Sequence, residues 1–306
     1  MRSPFLFTAA CAITWCVSAQ TQPTAGDHSE LVKRGLDLSK EGKQKEAIAD
    51  FDKAIQAQPS SFEAHLAKGE VLDLLGKYDA ARSEIRQALK FAPEAKAKDQ
   101  AEKAMAISFA FERKPGEAAR YEQEAFNAQV AGRDFTAAGE TADELARIYL
   151  ECGDANHAFD WYQKGYETAM QKPDLSAAEK SLWGFRSEAG QMRVAVRRGN
   201  MEVAGKDLAA AETFVTHTNN PQQNSFIPYL KGYLAFYKGD TNAAISSLQE
   251  ANQHDPFVLS LLAQSYEKSG DKAKAREINQ AILTLNMHNI ANAFARPLAK
   301  RKLGSS

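Results

Sequence analysis

Apolar side chains along this chain recur three and four positions apart, the spacing that places them on one face of an α-helix. Two such stripes are Tyr229, Tyr233 and Tyr237, and Ile290, Phe294 and Leu298. No segment predicts a β-strand convincingly. The pattern of apolar and polar positions therefore predicts an all-α fold.

Small residues and a proline also recur along the chain at a fixed distance. The first set is Gly35, Gly42, Ala47, Ala54 and Pro59, and the second is Gly69, Gly76, Ala81, Ala88 and Pro93. Each residue lies 34 positions from its counterpart. A repeat of this length is typical of helix-turn-helix units that stack into an array.

Each recurring residue has a physical role in such a unit. Gly35 and Gly69 fall within helices, where Gly costs about 1 kcal/mol relative to Ala, so we expect a neighbouring helix to approach closely there. Gly42 and Gly76 end the first helix in a left-handed conformation. The alanines let the second helix pack closely against the first, and the prolines end the unit because proline cannot continue a helix.

These positions resemble the signature of the tetratricopeptide repeat family, in which small residues, a Gly turn, bulky residues and a final Pro follow in a fixed order. The first two units match it at Gly35, Leu38, Gly42, Ala47, Phe51, Ala54 and Pro59, and at Gly69, Leu72, Gly76, Tyr78, Ala81, Ile85, Ala88 and Pro93. A later unit matches it at Gly232, Gly239, Ala244, Leu248, Ala251 and Pro256. The resemblance covers about residues 28 to 288 and implies a right-handed α-solenoid of about seven units.

The expected units span residues 28–61, 62–95, 96–131, 132–172, 176–220, 225–256 and 257–288. Lys114-Pro115-Gly116 is the predicted turn of the third unit, and a capping box at Ser176 and Glu179 predicts a lengthened helix in the fifth. Residues 289–306 form a predicted C-terminal capping helix and tail, whose basic end at Arg296 is expected in solvent. We expect stability to come from contacts between neighbouring units.

The first residues differ from the rest of the chain. Arg2 is followed by an uncharged, mainly apolar run from Phe5 to Trp15, and small residues then lead to Ala19. Residues 1–19 therefore predict a signal peptide cut between Ala19 and Gln20, followed by a flexible segment over residues 20–27. A buried first helix and a lipoprotein signal, with Cys11 or Cys16 as the modified residue, stay open as alternatives. No later segment has the roughly 20 apolar residues of a transmembrane helix.

Composition and charge narrow the function classes. The chain has 306 residues, of which 44% are apolar and 25% charged, as in an ordinary globular protein. Its formal charge is -1 with Lys and Arg spread along the chain, so we expect no nucleic-acid partner. Removal of residues 1–19 leaves one cysteine of three (3 − 2 = 1), Cys152, which we interpret as a small buried apolar residue.

No motif in the sequence predicts catalysis. The six histidines are scattered, and neither a Gly-rich phosphate loop nor a Gly-x-Ser-x-Gly elbow occurs. Acidic pairs such as Asp143 and Glu144 are typical of solvated helix faces. The sequence therefore predicts no catalytic residue, no metal site and no cofactor.

The resemblance implies that the first helix of each pair lines a concave groove for a peptide or a partner helix. The residues carried over as partner-binding are Arg147, Arg193, Arg197, Tyr229, Tyr233 and Tyr237, and Leu150 and Val196 are expected on the same surface. Arginine and tyrosine recur as binding hot spots, so an acidic or aromatic-bearing protein partner would suit this groove. Alternatively, the tyrosines pack between adjacent helices and the arginines pair with Asp143, Glu188 or other neighbours.

The sequence thus predicts a non-catalytic interaction scaffold or adaptor, exported to a bacterial periplasm or secreted. The alternatives are an envelope assembly or structural factor, with or without a lipid anchor, and a solenoid-based hydrolase. Small-ligand binding in the groove also stays open.

Overall fold

The computed structural model describes residues 25–218 and 221–304, which form fifteen α-helices and no β-strand. The all-α prediction is therefore confirmed. The predicted signal peptide, its cleavage position at Ala19 and Gln20, and residues 20–24 of the predicted flexible segment lie outside the described residues.

The helices are α1 (Ala25–Lys40), α2 (Gln44–Ala57), α3 (Phe62–Leu74), α4 (Tyr78–Phe91), α5 (Ala95–Phe111), α6 (Pro115–Ala131), α7 (Phe135–Cys152), α8 (Ala155–Ala169), α9 (Ala177–Arg197), α10 (Met201–Thr218), α11 (Pro221–Lys238), α12 (Thr241–Glu250), α13 (Pro256–Ser269), α14 (Lys272–Thr284) and α15 (Ile290–Leu303). Each odd-numbered helix from α1 to α13 packs against the even-numbered helix that follows it. Odd-numbered helices also pack on one another from pair to pair, as α7 does on α9 and α9 on α11, and so form the inner layer of the solenoid.

Glycines lie where two helices of a pair come closest. A Cβ atom added to Gly35 would lie 2.5 Å from Cε1 of Phe51, and one added to Gly69 would lie 2.6 Å from Cγ1 of Ile85. At Gly232 the distance to Cγ of Leu248 would be 2.5 Å. A side chain at these positions would overlap its neighbour, so Gly is required for the packing of these pairs. The repeat alanines Ala47, Ala54, Ala81, Ala88 and Ala244 are fully buried, and Ala251 is 5% exposed.

The turns between paired helices differ from the expectation in the third pair. Gly42 and Gly76 have φ angles of 81° and 83°, in the left-handed region that favours Gly. In the third pair, α6 already begins at Pro115, so Gly116 lies inside the helix. Arg113 takes the left-handed conformation there, with a φ of 58°. Proline fits the first helical position because its missing N–H would be unpaired there anyway. Because the helix begins at Pro115, the turn ends before Lys114 and does not include Pro115 and Gly116.

The repeat prolines have two different positions relative to the next helix. Pro59 and Pro93 lie in loops, and α3 begins at Phe62, three residues after Pro59. Pro256 is instead the first residue of α13, which Asp255 caps through its side chain. The shift of three residues explains why Gly239 and Gly270 are 31 residues apart and not 34.

The predicted capping box opens the longest helix. The Ser176 hydroxyl accepts a hydrogen bond from the backbone N–H of Glu179 at 3.2 Å, and the Glu179 carboxylate accepts one from the Ser176 N–H at 2.9 Å. The helix that follows, α9, has 21 residues. Its extra length extends the inner layer at the middle of the array.

The C-terminal helix returns to the first half of the chain. Helix α15 packs on α13 and α14, as a capping helix would, and also on α5 and α7. Ile290 and Phe294 join an apolar cluster with Leu74, Phe111 and Ile148. Most packing is between neighbouring helices, as expected, but α15 also closes the array by contacts with units that are distant in sequence.

The sequence predicts that the basic end of α15 lies in solvent, and for Arg296 this prediction is wrong. Arg296 is buried and donates hydrogen bonds to the backbone oxygens of Leu74 at 2.9 Å and Leu283 at 2.8 Å. These oxygens belong to the C-terminal turns of α3 and α14, where the helix dipoles favour a cation. Arg296 therefore joins two helix ends that lie far apart in the sequence. Within the described residues, no helix has the length and apolarity to cross a membrane.

Candidate functional site

The residues predicted to bind a partner lie on three adjacent helices of the inner layer. Arg147 is on α7, Arg193 and Arg197 are on α9, and the three tyrosines are on α11. Helix α9 packs against both α7 and α11, so the structure brings these side chains together.

Arg147 connects α7 to two other helices. Its Nη2 donates a hydrogen bond to the Tyr229 hydroxyl at 2.7 Å, and its guanidinium carbon lies 3.7 Å from the ring centre of Phe257 on α13. Its Nε lies 3.0 Å from a carboxylate oxygen of Glu151. The side chain is only 11% exposed. Arg147 therefore holds the inner layer together and offers little surface to a partner.

The three tyrosines form a continuous aromatic stripe along α11. The ring centres of Tyr229 and Tyr233 are 6.0 Å apart, and those of Tyr233 and Tyr237 are 4.8 Å apart. Tyr229 and Tyr233 are 5% and 3% exposed, whereas Tyr237 is 37% exposed. Burial raises the pKa of both Tyr229 and Tyr233. Among the three, only Tyr237 presents a large surface to solvent.

The two arginines of α9 have different surroundings. The Arg197 guanidinium lies 5.7 Å from the ring centre of Tyr237 and 3.7 Å from a carboxylate oxygen of Glu151. Arg193 donates a hydrogen bond to the Tyr162 hydroxyl at 3.2 Å. Asp143 pairs with Arg186 at 2.9 Å and not with one of these arginines. Arg147 and Arg197 both lie within 4.0 Å of Glu151, so the alternative that the arginines pair with neighbouring carboxylates holds for these two.

Two residues expected on the groove surface lie in the core. Leu150 is fully buried and Val196 is 2% exposed. Leu150 packs with Tyr162 and Val194, on the side of α7 that faces its neighbours α8 and α9. The expectation that Leu150 and Val196 face the groove is therefore wrong, because these positions pack one helix pair on the next.

A cavity of about 440 Å³ opens beside the arginines of the inner layer. Its apolar wall consists of Leu182, Phe185, Phe226, Leu230, Phe257 and Ile290. Its polar wall includes Asp143, Glu144, Arg147, Arg186 and Arg193. Phe226 is 47% exposed and so lies at the rim. Sequence reasoning missed this cavity because its walls come from helices α7, α8, α9, α11, α13 and α15, of which α15 is far from α7, α8 and α9 in sequence.

The acidic groups of the cavity lie beside cations, Asp143 with its side chain 15% exposed and Glu144 with its side chain 39% exposed. Burial raises the pKa of Asp143 to about 6, although the charges of Arg186 and Arg193 oppose this shift. Burial also raises the pKa of Glu144, whose carboxylate lies 3.6 Å from Nζ of Lys103. The cavity therefore combines an apolar wall with charged side chains, of which most are paired.

Cys152 offers no activated nucleophile. It is the last residue of α7, and burial raises the pKa of its thiol, which disfavours the reactive thiolate. Among the described residues, no group of three or more His, Cys, Asp and Glu side chains is placed to hold a metal ion.

Comparisons with known proteins identify the repeats. A family model described as tetratricopeptide repeat matches residues 32–96 and 229–290. A tetratricopeptide repeat protein from Parabacteroides merdae has a similar crystal structure, with a TM-score of 0.53 and 12% identity, over 92% of this chain and 99% of that chain. PilF from Pseudomonas aeruginosa aligns with a TM-score of 0.48 and 15% identity, over 84% of this chain and 98% of that chain. No curated protein matches the sequence.

Proposed function

This chain is a tetratricopeptide repeat protein, and from this premise we propose that it is a non-catalytic scaffold that binds a protein partner on its inner layer. Tetratricopeptide repeats generally mediate protein–protein interaction. The observation that carries the proposal is the contact on the inner helices α9 and α11 between Arg197, whose side chain is 21% exposed, and Tyr237, which is 37% exposed.

The proposed docking surface, which we call the α9–α11 face, comprises Arg197, Tyr237 and Phe226. Tyr237 and Phe226 are 37% and 47% exposed, and they are two of the few large apolar side chains with such exposure among the described residues. Tyrosine and arginine offer a large contact area with directional hydrogen bonds and are enriched at binding hot spots. An acidic or aromatic side chain of the partner would fit beside the cation and the phenol ring.

Helix α15 occupies part of the inner layer itself. It packs on α5, α7 and α13, and Ile290 closes one side of the cavity. A partner would therefore meet the α9–α11 face and not the inner surface of the first units. This favours a short peptide segment or one helix over a chain that follows the whole inner layer.

We also propose that the scaffold acts in a bacterial envelope or outside the cell. The support is the sequence of residues 1–19, with its early cation, apolar run and small residues before Gln20. The mass of the chain purified from its own host tests this: we expect it to begin at Gln20. A chain that keeps Met1 would contradict export, and a modified cysteine at its start would support the lipid-anchored alternative.

The docking surface is tested with an immobilised chain of residues 20–306, which is used to capture partners from a host envelope extract. The variant carries Arg197→Ala and Tyr237→Ala, and the matched control carries Val203→Ala and Lys206→Ala on α10. The control residues are an exposed apolar and an exposed charged side chain of an even-numbered helix outside the proposed face. We expect the parent and the control to hold the same protein and the α9–α11 variant to lose it, with unchanged helical content in all three. Equal capture by all three chains would contradict the location of the site, and no capture by the parent would contradict the scaffold.

A further inference from the structure

We propose that the cavity between α7, α9 and α11 is a binding site for a small amphipathic carboxylic acid, with Arg193 as the anchor of its carboxylate. This site would act beside the docking of a protein partner and does not require one. Three features of the cavity carry the proposal: an arginine without a carboxylate partner, an apolar wall, and a volume suited to a small molecule.

Arg193 is the arginine of this cluster that forms no ion pair within 4.0 Å among the described residues, although the charge of Asp143 acts on it from farther away. Asp143 pairs with Arg186 at 2.9 Å, Glu144 with Lys103 at 3.6 Å, and Glu151 with Arg147 at 3.0 Å. Arg193 has no carboxylate oxygen within 4.0 Å among the described residues, and its one hydrogen bond goes to the neutral hydroxyl of Tyr162. Its Nε is buried and donates to no atom of the described part of the chain.

A guanidinium whose Nε is buried without a partner favours an anion as its ligand. Leaving a buried charged donor without a partner is costly, and a planar carboxylate matches the fork of the guanidinium. The carboxylates of Asp143 and Glu144 also line the cavity, and their charges would repel a ligand with two negative charges. A monocarboxylate is therefore a better match than a phosphate ester.

The rest of the ligand should be apolar. Three phenylalanines, Phe185, Phe226 and Phe257, line the cavity together with Leu182, Leu230 and Ile290. The volume of about 440 Å³ lies within the range of about 300–1,000 Å³ that is usual for small-molecule sites. These walls would bury an aromatic or branched aliphatic body behind the carboxylate. Such a group could come from a free acid or from the C-terminal residue of a peptide, and we infer the free acid because the cavity is closed on one side by α15.

The proposal is tested by calorimetric titration of the full chain without any protein partner. The first probe is 4-phenylbutyrate, and its matched neutral control is 4-phenylbutyramide. The second pair is N-acetyl-Gly-Gly-Phe and its C-terminal amide, which represent a peptide source of the same chemistry. We expect the free acid to bind at least about tenfold more tightly than its amide, since hydrogen bonds to a charged group contribute about 1.5–3 kcal/mol.

Three variants connect binding to named residues. Arg193→Gln should weaken 4-phenylbutyrate about tenfold or more and leave the amide unchanged, whereas Arg193→Lys should retain part of the preference for the acid. Ala189→Leu, in the cavity wall, should weaken both probes because it fills the space. The thermal midpoint of each variant shows that it is folded.

Equal binding of acid and amide would overturn the role of Arg193, as would acid binding that survives Arg193→Gln. Binding of the peptide acid without binding of 4-phenylbutyrate would overturn the free-acid ligand. No binding of any probe at concentrations of about 10 mM, far above the Kd of specific small-molecule sites, would overturn the site itself. Phe226 belongs to both sites, but none of these variants changes Arg197, Tyr237 or Phe226, so the capture experiment tests the scaffold proposal separately.

Discussion

His288 and Asp73 lie 215 positions apart in the sequence and meet in the interior, where Nε2 of His288 is 2.9 Å from a carboxylate oxygen of Asp73. Their side chains are 4% and 0% exposed. Asp73 also accepts a hydrogen bond from the Ser108 hydroxyl at 2.9 Å. The pair therefore links α3 and α5 to the segment before α15 and helps to close the array.

We expect this pair to make stability depend on pH. Burial opposes the charged form of His288, but the hydrogen bond to Asp73 and the charges of Glu70 and Asp73 outweigh it and raise its pKa above the ordinary value of 6.5. A raised pKa means that the folded chain holds the proton more tightly. The contribution of His288 is thus complete below about pH 6.5 and is lost as the pH rises through the higher folded pKa.

His288→Gln should therefore lower the free energy of unfolding by about 3–5 kcal/mol at pH 6, the usual cost of breaking a buried ion pair. The difference from the parent should shrink as the pH rises, which urea unfolding at a series of pH values measures. His254→Gln is the matched control, because His254 is exposed. A constant difference at all pH values would show that the charge of His288 does not contribute.

Arg296 should contribute to the same closure. Arg296→Met leaves the oxygens of Leu74 and Leu283 without their donor, and we expect a loss of about 1–3 kcal/mol in the free energy of unfolding. Faster hydrogen exchange at the C-terminal end of α3 should accompany it. Arg301→Met on the exposed side of α15 is the control and should change neither quantity. Unchanged exchange in the Arg296 variant would argue against a closing role for this residue.

Two glycines within helices should respond to alanine with opposite signs. A Cβ at Gly232 would lie 2.5 Å from Cγ of Leu248, whereas one at Gly205 would meet nothing within 4 Å. Gly232→Ala should therefore cost about 1–3 kcal/mol through overpacking. Gly205→Ala should stabilise the chain by about 0.5–1 kcal/mol, because alanine favours helix. Thermal or urea unfolding compares the two, and a change of the same sign in both would contradict the packing described here.

Glu122 is a buried carboxyl group that we expect to destabilise the fold at neutral pH. Both of its oxygens are buried without a hydrogen-bond partner among the described residues. Burial, and then the charge of Glu144, raise its pKa well above the ordinary value of 4.5, so its contribution to stability is lost as the pH rises.

Replacing this carboxyl by an apolar side chain of similar shape should therefore stabilise the protein. We expect Glu122→Met to add about 1–3 kcal/mol to the free energy of unfolding at pH 7, and less below about pH 4.5. Glu117→Met, at an exposed position of the same helix, is the control. A loss of stability in the Glu122 variant would show that this carboxyl has a partner that stabilises it.

The fold could be predicted from the sequence because its determinants are local. Gly35 and Phe51 lie in one helix pair, and Ser176 and Glu179 lie in one helical turn, so their spacing reveals the contact. The turn at Arg113 differs from the predicted one because its left-handed residue is not Gly. The stripe pattern predicts Leu150 on the groove because it does not show which of two neighbouring helices a residue faces.

The closure of the array could not be predicted, and the candidate site depends on it. Asp73 and His288 show no shared motif, and a basic helix end such as that around Arg296 usually lies in solvent. Phe257 of α13 and Ile290 of α15 complete the wall of the cavity beside α7, α9 and α11. Side chains that meet through such long-range contacts leave no periodic signal in the sequence.

The most direct test of a scaffold that docks its partner on the α9–α11 face is hydrogen exchange of the full chain with and without the captured protein. We expect slower exchange in the second half of α9 and in α11, and unchanged exchange in α10 and α12, which lie outside the inner layer. Slower exchange confined to the even-numbered helices, or to α1 and α2, would contradict the proposed docking surface.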